Sequence, residues 1–457
     1  MKDYITIIGG GLAGSEAAYQ IAKAGIKVKL YEMKPVKFSP AHSNKNLAEI
    51  VCSNSFKSNL HTHACGLLKE ELRMLDSLLI KIADETSVPA GQALAVDREK
   101  FSDKVTLELE KNSNIEIIHE EIKDIEQLSK DGIVIIATGP LTSENLSDNI
   151  GKMIEEKELA FYDAAAPIVE KDSINMEIGF YGDRYEQERG KEEDIDDWKK
   201  RIEKQEASYI NLPMNKEEYE NFVNELINAE IVELHQFEKK EIFEGCMPVE
   251  VMAKRGLDTL RFGPLKPVGF TDLRTGKRPY AVVQLRQDNE EGTIFNIVGF
   301  QTNLKFGEQK RVFSLIPGLE NAEFVKYGVM HRNTFINSSK LLDSSYNLKK
   351  NKNIYFAGQI TGVEGYVESI SSGMVAALNA IEQFKNTKNK IEFPKETMIG
   401  ALAKYISEEK ENFQPMNANF GILPQLEEKI KDKKQRYQKL ADRSIDLLQK
   451  SYKNVKI

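Results

Sequence analysis

The hydrophobic pattern at the start of the chain predicts a β–α–β unit. Residues 4–8 form an apolar, β-branched run that predicts a strand, and residues 15–23 carry the spacing of a helix. Residues 26–31 predict a second strand, which ends at Glu32. A strand, a helix and a strand in this order are typical of a doubly wound domain with a parallel sheet.

Patterns of the same kind return in two other parts of the chain. Strands are predicted over 115–118, 133–136 and 353–358, and helices over 67–84, 97–110 and 366–380. From about residue 161 the pattern changes. The charged stretch 183–206 predicts a solvated helix, 215–230 another helix, and 280–285 with 293–298 an antiparallel sheet, while 425–453 predicts a charged amphipathic helix or helix pair.

These patterns predict one doubly wound domain that is interrupted by different material. The fold class is α/β, with a Rossmann-like domain split by an α+β insertion domain. The expected divisions are 1–160 for the first part of the doubly wound domain, 161–325 for the insertion, and 326–457 for the second part with the C-terminal helices.

Composition narrows the class of protein. A chain of 457 residues with 41% hydrophobic and 29% charged residues has the balance of a globular protein. No apolar run is long enough to span a membrane, and the chain enters a strand at once without a signal peptide, so we expect a cytoplasmic protein with no membrane partner. The net charge of −8 argues against a non-specific nucleic-acid coat but leaves room for a local basic patch.

A glycine motif follows the first predicted strand directly. In this G-x-G-x-x-G motif Gly9 permits the tight turn, Gly11 lets the backbone approach a pyrophosphate, and Gly14 lets the helix pack close to the strand. Glu32 lies 18 positions after Gly14, near the spacing of a ribose 2′-OH acceptor. A glycine-rich turn without a ligand is the competing interpretation, and the complete β–α–β unit disfavours it.

Two further strand–glycine turns favour FAD over NAD as the cofactor. Gly139 follows the strand at 133–136, and Gly358 follows the strand at 353–358. After Gly362, a helix can direct its N-terminus at the flavin pyrimidine. The candidate cofactor contacts are therefore Gly9, Gly10, Gly11, Leu12, Ala13, Gly14, Glu32, Gly139, Gly358 and Gly362.

The three cysteines are too few and too scattered for a disulfide scaffold or a zinc site. His61 and His63 have no suitably spaced partner ligand, so no metal site is expected. Cys52 lies in a Ser/Asn-rich loop and Cys246 in a turn bounded by glycine and proline, where a thiolate would be accessible. The alternative for any single cysteine is a small buried hydrophobic residue, and we adopt it for Cys65.

Residues 251–280 reverse the acidic balance of the chain. They hold seven basic residues against two acids, together with the aromatic residues Phe262, Phe270 and Tyr280. Such a segment is either a solvated face or a surface for a polyanion, where the rings can stack on bases or a pterin. Composition alone leaves both interpretations open.

Longer motifs give the chain a specific resemblance. It resembles the TrmFO family, the folate- and FAD-dependent RNA uracil-C5 methyltransferases, in Val51-Cys-Ser-Asn-Ser55, in Phe243-Glu-Gly-Cys-Met-Pro248 and in Gly358-Gln-Ile-Thr-Gly-Val-Glu-Gly-Tyr366. Similar stretches at 9–18, 30–33, 87–91, 95–98, 137–143, 162–170, 249–256, 275–286 and 327–336 spread the resemblance over nearly the whole chain.

The resemblance implies an activity and its residues. It implies a FAD domain of the glutathione-reductase type, with methylenetetrahydrofolate as carbon donor and NAD(P)H as reductant. By similarity Cys246 is the nucleophile that adds to uridine C6 and Cys52 removes the C5 proton, although the two roles could be exchanged. The candidates for substrate contact are His331, Lys254, Arg255 and Arg286.

The resemblance leaves the RNA substrate open. The tRNA T-loop is the leading expectation, a large-subunit ribosomal RNA uridine is the second, and a non-catalytic flavin-bound RNA-binding protein is an alternative of another class. Three departures from the family pattern are the long charged stretch 183–206, Leu212 between Asn211 and Pro213, and Cys65. The oligomeric state stays unknown.

Overall fold

The computed structural model describes residues 2–39, 41–130, 132–155, 159–190, 192–202, 207–232, 247–387, 389–411 and 413–452. The strands are β1 (Tyr4–Ile8), β2 (Lys27–Glu32), β3 (Ser55–Ser58), β4 (Ser87–Val88), β5 (Ala93–Val96), β6 (Ile115–His119), β7 (Val134–Ile136), β8 (Leu159–Ala164), β9 (Ile168–Glu170), β10 (Phe180–Tyr181), β11 (Tyr209–Met214), β12 (Ala281–Gln287), β13 (Ile294–Ile297), β14 (Phe324–Lys326), β15 (Met330–Phe335) and β16 (Ile354–Phe356).

The helices of the described residues follow in the same order. They are α1 (Leu12–Lys23), α2 (Ala64–Met74), α3 (Leu78–Glu85), α4 (Arg98–Glu110), α5 (Glu126–Lys130), α6 (Glu144–Ile154), α7 (Ile195–Ile202), α8 (Lys216–Asn228), α9 (Val249–Lys254), α10 (Thr259–Phe262), α11 (Phe306–Phe313), α12 (Ser338–Leu341), α13 (Tyr366–Phe384), α14 (Met398–Ser407) and α15 (Lys433–Tyr452). In this described part of the chain, each helix is too short or too polar to cross a bilayer.

A five-stranded parallel sheet joins the two ends of the chain. Its strand order is β16-β7-β1-β2-β6, so the late strand β16 completes a sheet that the first strands begin. Helix α13 packs on α1, where the backbones approach so closely that a Cβ added at Gly373 would lie 2.3 Å from the Ala13 carbonyl oxygen. The predicted parallel α/β domain is confirmed.

The second large sheet is antiparallel and lies between these two parts of the sequence. Its order is β10-β11-β12-β13-β9-β14, and helices α8, α9 and α11 contribute to its hydrophobic core. The core of the parallel sheet includes no residue between Ile154 and Phe335 among those described. The predicted α+β insertion is therefore confirmed, whereas the numerical boundaries at 160 and 325 stay a prediction.

Two adjacent strands connect the sheets. The chain leaves the first sheet through β8 and returns through β15, and these strands pair with each other in antiparallel fashion. Just beyond them, the Ala165 N–H donates to the Val329 carbonyl at 2.8 Å. The outgoing and returning segments thus lie side by side.

Two predicted helices differ from the structure. The stretch 67–84 forms two helices, α2 and α3, because the chain turns at Asp76, whose φ is +58°. Within 183–206 the described helix covers only Ile195–Ile202, and Trp198 is fully buried and donates its indole N–H to the Gln187 carbonyl at 2.9 Å. The prediction of a solvated helix over the whole stretch is therefore wrong. The described helix is short, and the buried Trp198 anchors it to the protein.

A candidate cofactor cleft and its thiol loop

A cleft of about 1090 Å³, measured to its open mouth, lies at the carboxyl edge of the parallel sheet. Its lining includes most of the predicted cofactor contacts: Gly9, Gly10, Gly11, Leu12, Ala13, Glu32, Gly139 and Gly358. In open parallel sheets this edge is the general place for a ligand. The sequence motifs from the two ends of the chain therefore meet at one site.

Each of the three motif glycines is a glycine for a different structural reason. Gly9 has a φ of +102°, and a Cβ there would lie 2.5 Å from the Ala137 carbonyl oxygen. At Gly14 a Cβ would lie 1.9 Å from the Gly9 carbonyl oxygen, so this glycine allows α1 to pack on the turn. At Gly11 a Cβ would meet no protein atom within 4 Å. Gly11 thus leaves open space beside the backbone.

The start of α1 fits a pyrophosphate. Gly11 is its N-cap residue, and no side chain caps this end. The first backbone N–H groups of a helix lack partners within the helix and attract anions. Together with the space at Gly11 and at Gly139, where a Cβ would also meet no atom within 4 Å, this arrangement fits a dinucleotide such as FAD.

Glu32 is buried and organises the turn beside it. One carboxylate oxygen accepts the Gly10 N–H at 2.8 Å and the other accepts the Lys34 N–H at 3.0 Å. Each oxygen keeps a second lone pair, so a ribose hydroxyl can still bind. The ribose contact itself stays a prediction.

Gly358 and Gly362 have different roles. Gly358 has a φ of +81° and donates its N–H to the Ser372 hydroxyl at 2.6 Å. Gly362 lies outside the cleft lining, and a Cβ there would lie 2.6 Å from the Phe413 ring. Gly362 therefore allows the Phe413 ring to pack against the backbone.

A group of polar residues that no sequence motif indicates also lines the cleft. Lys34 and Glu49 form a buried ion pair at 3.1 Å, and the ring of His42 lies beside them. Burial, and after it the charge of Lys34, lowers the pKa of His42. These residues lie in a long polar loop, where no periodic pattern singles them out.

The loop of Cys52 lies against one end of the cleft. The N–H groups of Cys52 and Ser53 each donate to the Tyr366 hydroxyl oxygen at 3.0 Å. Tyr366 and Val51 both line the cleft, so the thiol loop borders the space in which a flavin would lie. The sequence placed Tyr366 only at a helix start and did not single out its hydroxyl.

Arg286 also holds this loop. Its guanidinium donates to the Ser53 hydroxyl at 2.7 Å and to the Asn54 side-chain oxygen at 3.0 Å, and the residue is only 7% exposed. Arg286 thus has a structural role, because it holds the loop of Cys52 through these two hydrogen bonds. Its predicted contact with a substrate stays a prediction.

Of the other predicted site residues, those that the structure describes lie on different elements. Cys246 lies outside the described residues, which resume at Met247 just before α9. Lys254 ends α9 and is exposed, as is Arg255 after it, while His331 lies on β15 with its backbone opposite Asp163. The distance between the two candidate catalytic cysteines is thus not among the described geometry.

Cys65 is a buried structural thiol. It donates its S–H to the Phe56 carbonyl at 3.4 Å, and burial raises its pKa to about 11. A thiol with so high a pKa is a poor nucleophile at neutral pH. The prediction of a small buried hydrophobic residue at this position is confirmed.

The basic segment 251–280 is only partly free for a polyanion. Arg261, Arg274 and Arg278 pair with Asp258, Asp272 and Glu188 respectively. The ring of Phe270 is buried, whereas that of Phe262 is 82% exposed, and Lys254, Arg255 and Lys266 of the same segment are exposed as well. This exposed end keeps the polyanion interpretation open.

The chain matches a known protein family and is similar to named proteins. The model of the family described as GIDA, glucose inhibited division protein A, matches residues 4–388. The chain is 60% identical over 449 residues to a protein of Acetivibrio thermocellus named methylenetetrahydrofolate–tRNA-(uracil-5-)-methyltransferase TrmFO, and the alignment covers 98% of each chain. It is 56% identical over 457 residues to the protein of the same name from Fusobacterium nucleatum, with full coverage of both.

A solved structure shares the fold at low identity. The structure of Aquifex aeolicus GidA in its form II crystal superposes with a TM-score of 0.66 at 17% identity, over 99% of this chain and 75% of that one. At that identity the likeness concerns the fold alone.

Proposed function

Because the chain belongs to the GIDA family, and within it to the TrmFO proteins, we propose that it is a folate- and FAD-dependent tRNA (uracil-5-)-methyltransferase. The observation that carries the proposal is the position of the Cys52 loop, which borders the dinucleotide cleft through Tyr366. A thiol beside a flavin cleft suits chemistry in which a nucleobase and a redox cofactor meet.

The residues of the cleft hold and orient the cofactor. The open backbone at Gly11 and the free end of α1 bind the pyrophosphate, and Glu32 lies where a ribose hydroxyl can be bound. When bound, FAD supplies the carrier and the reducing equivalents for transferring one carbon from methylenetetrahydrofolate. NAD(P)H is the proposed source of those electrons.

The thiols act on the uracil ring. Uracil C5 is a weak nucleophile until C6 has been saturated, so a cysteine that adds to C6 activates C5 for alkylation. We assign this addition to Cys246 and the removal of the C5 proton to Cys52. A base buried in an RNA stack cannot reach such groups, so the uridine must leave its stack.

The charged surface around Phe262 is the proposed approach for RNA. Its exposed ring and the neighbouring Lys254 and Arg255 offer stacking and phosphate contacts. We propose His331 as a partner for folate. We place the reaction in the cytoplasm, with the tRNA T-loop as target.

Mapping of 5-methyluridine tests the substrate. In a strain that lacks the gene, we expect the modification to disappear from the tRNA T-loop and to return with a plasmid copy. Loss from large-subunit ribosomal RNA with unchanged tRNA would instead assign the ribosomal substrate.

Substitution of the nucleophile tests the chemistry. The purified protein should show flavin absorbance, and Cys246→Ala should abolish methylation while the flavin stays bound. A Cys246→Ala protein that still methylates would contradict the covalent route, and a colourless wild-type protein would contradict the cofactor.

A further inference from the structure

The carbonyl groups that flank the candidate thiol are held by one buried arginine. Arg98, the first residue of α4, donates from Nη1 to the Ile50 carbonyl at 2.9 Å, and its Nη2 lies 3.5 Å from the Cys52 carbonyl oxygen. The peptide N–H of Cys52 is held from the other side by Tyr366. The backbone on both sides of the thiol is therefore fixed by side chains from distant segments.

The same arginine is tied to the antiparallel sheet. Its Nε donates to an Asp288 carboxylate oxygen at 2.8 Å, directly after β12. The Asp288 side chain is fully buried, and its other oxygen has no hydrogen-bond partner among the described residues. A buried, incompletely satisfied carboxylate depends strongly on the cation that contacts it directly, which here is Arg98.

The charges around Cys52 are coupled to it. Burial by itself lowers the pKa of Arg98, but the charges of Asp288, Tyr366 and Cys52 hold it above its ordinary value. Since Coulombic coupling is reciprocal, a guanidinium that is favoured by the thiolate also favours the thiolate.

Besides Arg98 and Arg286, a third cation lies near the same loop. Burial, followed by the charge of Arg98, lowers the pKa of Lys326 at the end of β14, while Glu49, Asp288 and Cys52 oppose this shift. The charged and titratable groups around this loop thus include Arg98 of α4, Lys326 of β14, Tyr366 of α13, Arg286 of β12, Asp288 directly after it, and Glu49. Burial raises the pKa of Tyr366, so its hydroxyl is neutral and adds no negative charge to the group.

We propose that Arg98 is a positioning residue for Cys52, which fixes the flanking carbonyls and places a positive charge that favours the thiolate. Its pairing with Asp288 makes the location of that charge depend on β12, so the insertion sheet helps to set the reactivity of the thiol. This inference rests on the proposed function, in which Cys52 accepts the C5 proton.

The proposed step needs no further reagent. The Cys52 thiolate takes the proton from uracil C5 and becomes a neutral thiol, while the electron pair of the C–H bond stays in the ring. A neutral thiol cannot accept that proton. A group that raises the thiolate population therefore raises the fraction of enzyme that is ready to react.

Alkylation of individual cysteines tests the proposal without any turnover. The full-length flavin-loaded protein is treated with iodoacetamide across a pH series, and peptide mass spectrometry reads each cysteine separately. In Arg98→Gln we expect the pH midpoint for Cys52 to rise by about one unit. At pH 7 the thiolate fraction then falls about tenfold, and the higher nucleophilicity of the more basic thiolate leaves alkylation about threefold slower.

Matched variants separate charge from general damage. Lys100→Gln removes a cation of the same helix that pairs with Glu290 and Glu291 on the surface, so it should leave the Cys52 midpoint unchanged. Arg98→Lys keeps the charge and should recover part of the shift. An unchanged midpoint in a folded Arg98→Gln protein would overturn the proposal.

If Arg98→Gln fails to fold, the double variant Arg98→Gln/Asp288→Asn tests the proposal, because it leaves no buried charge without its partner. Its Cys52 midpoint should lie above that of Asp288→Asn alone, and an equal or lower midpoint overturns the proposal. Methylation by Cys52→Ala is measured separately. Full activity there would refute the catalytic role of Cys52, whereas the alkylation result reports only on Arg98.

Discussion

Gly11 and Gly14 illustrate how neighbouring residues of one motif serve different ends. Gly14 is required by the protein itself, because the Gly9 carbonyl occupies the place of a side chain, whereas Gly11 borders open space. The motif predicts these two different roles, and the space around each glycine agrees with them.

Gly11→Ala should leave the apoprotein folded and weaken FAD binding. The added methyl group meets no protein atom within 4 Å but projects into the space proposed for the pyrophosphate. We expect an apoprotein melting temperature near that of the wild type and a loss of flavin absorbance after purification. Gly14→Ala serves as the contrast, since overpacking there should destabilise the fold by about 1–3 kcal/mol or more. Equal flavin content in Gly11→Ala and wild type would contradict the assignment.

The Tyr366 hydroxyl gives a second test at this scale. Tyr366→Phe removes the acceptor of two backbone N–H groups, so we expect a loss of about 1–3 kcal/mol in the free energy of unfolding, together with slower methylation. Urea denaturation and a methylation assay measure the two effects. Tyr405→Phe, which loses one hydrogen bond to Gln414 away from the cleft, should keep its activity.

The limits of sequence reasoning are clear for these residues. Gly9, Gly11 and Gly14 could be assigned because the motif that contains them is continuous in the sequence. Tyr366 and Arg98 could not, since their partner Cys52 lies 314 and 46 positions away. A periodic pattern carries no information about contacts that only the completed fold creates.

At the scale of elements, the N-terminus of α14 is capped from another helix. Glu71 on α2 accepts the N–H groups of Met398 and Ile399 at 2.7 and 2.8 Å, and the Ser444 hydroxyl of α15 also donates to it. This carboxyl group joins three helices in the core. Burial raises its pKa to about 7 despite these hydrogen bonds.

Glu71 should make the stability of the protein depend on pH. Its carboxyl binds a proton in the folded state up to about pH 7 but only up to about 4.5 when unfolded. Stability from this group is therefore complete below about pH 4.5 and is lost as the pH rises to about 7, by about 3 kcal/mol. Glu71→Gln does not titrate, so the difference in unfolding free energy between wild type and variant should fall by this amount over the range. A difference that is constant with pH would contradict the prediction.

Element prediction succeeded where a pattern was long and strongly periodic. Strands β1, β2, β6, β7 and β16 and helix α13 appear close to their predicted positions. The errors occurred where one residue overrides the pattern, as at the turn of Asp76 and at the buried Trp198. A left-handed residue or a single anchoring ring leaves no periodic signal.

At the scale of the molecule, the chain passes between the flavin domain and the insertion through one pair of strands. The paired strands β8 and β15 bring Ala165 and Val329 within hydrogen-bonding distance, and the first core draws on no described residue from the insertion. The hydrophobic core of the parallel sheet and that of the antiparallel sheet therefore share none of the described residues. The active site still needs both, because the proposed nucleophile lies in the insertion.

Removal of the insertion should separate cofactor binding from catalysis. When residues 166–328 are replaced by a short Gly/Ser linker, the nearby ends need no rearrangement. We expect a smaller yellow protein that binds FAD and has no methyltransferase activity. A soluble, colourless product would show instead that the antiparallel sheet is needed for the cleft.

The order of segments along the chain has a consequence for how the protein is made. Strand β16 and helix α13, which close the cleft, leave the ribosome roughly 200 residues after α6. At about 5–20 residues per second, that delay is on the order of ten seconds or more. During this interval the nascent N-terminal part contains the glycine turn after β1, but β16 and α13, which complete the cleft, have not yet been synthesised. Flavin capture is therefore a late event in biosynthesis, and a truncated product that ends within the insertion should emerge without its cofactor.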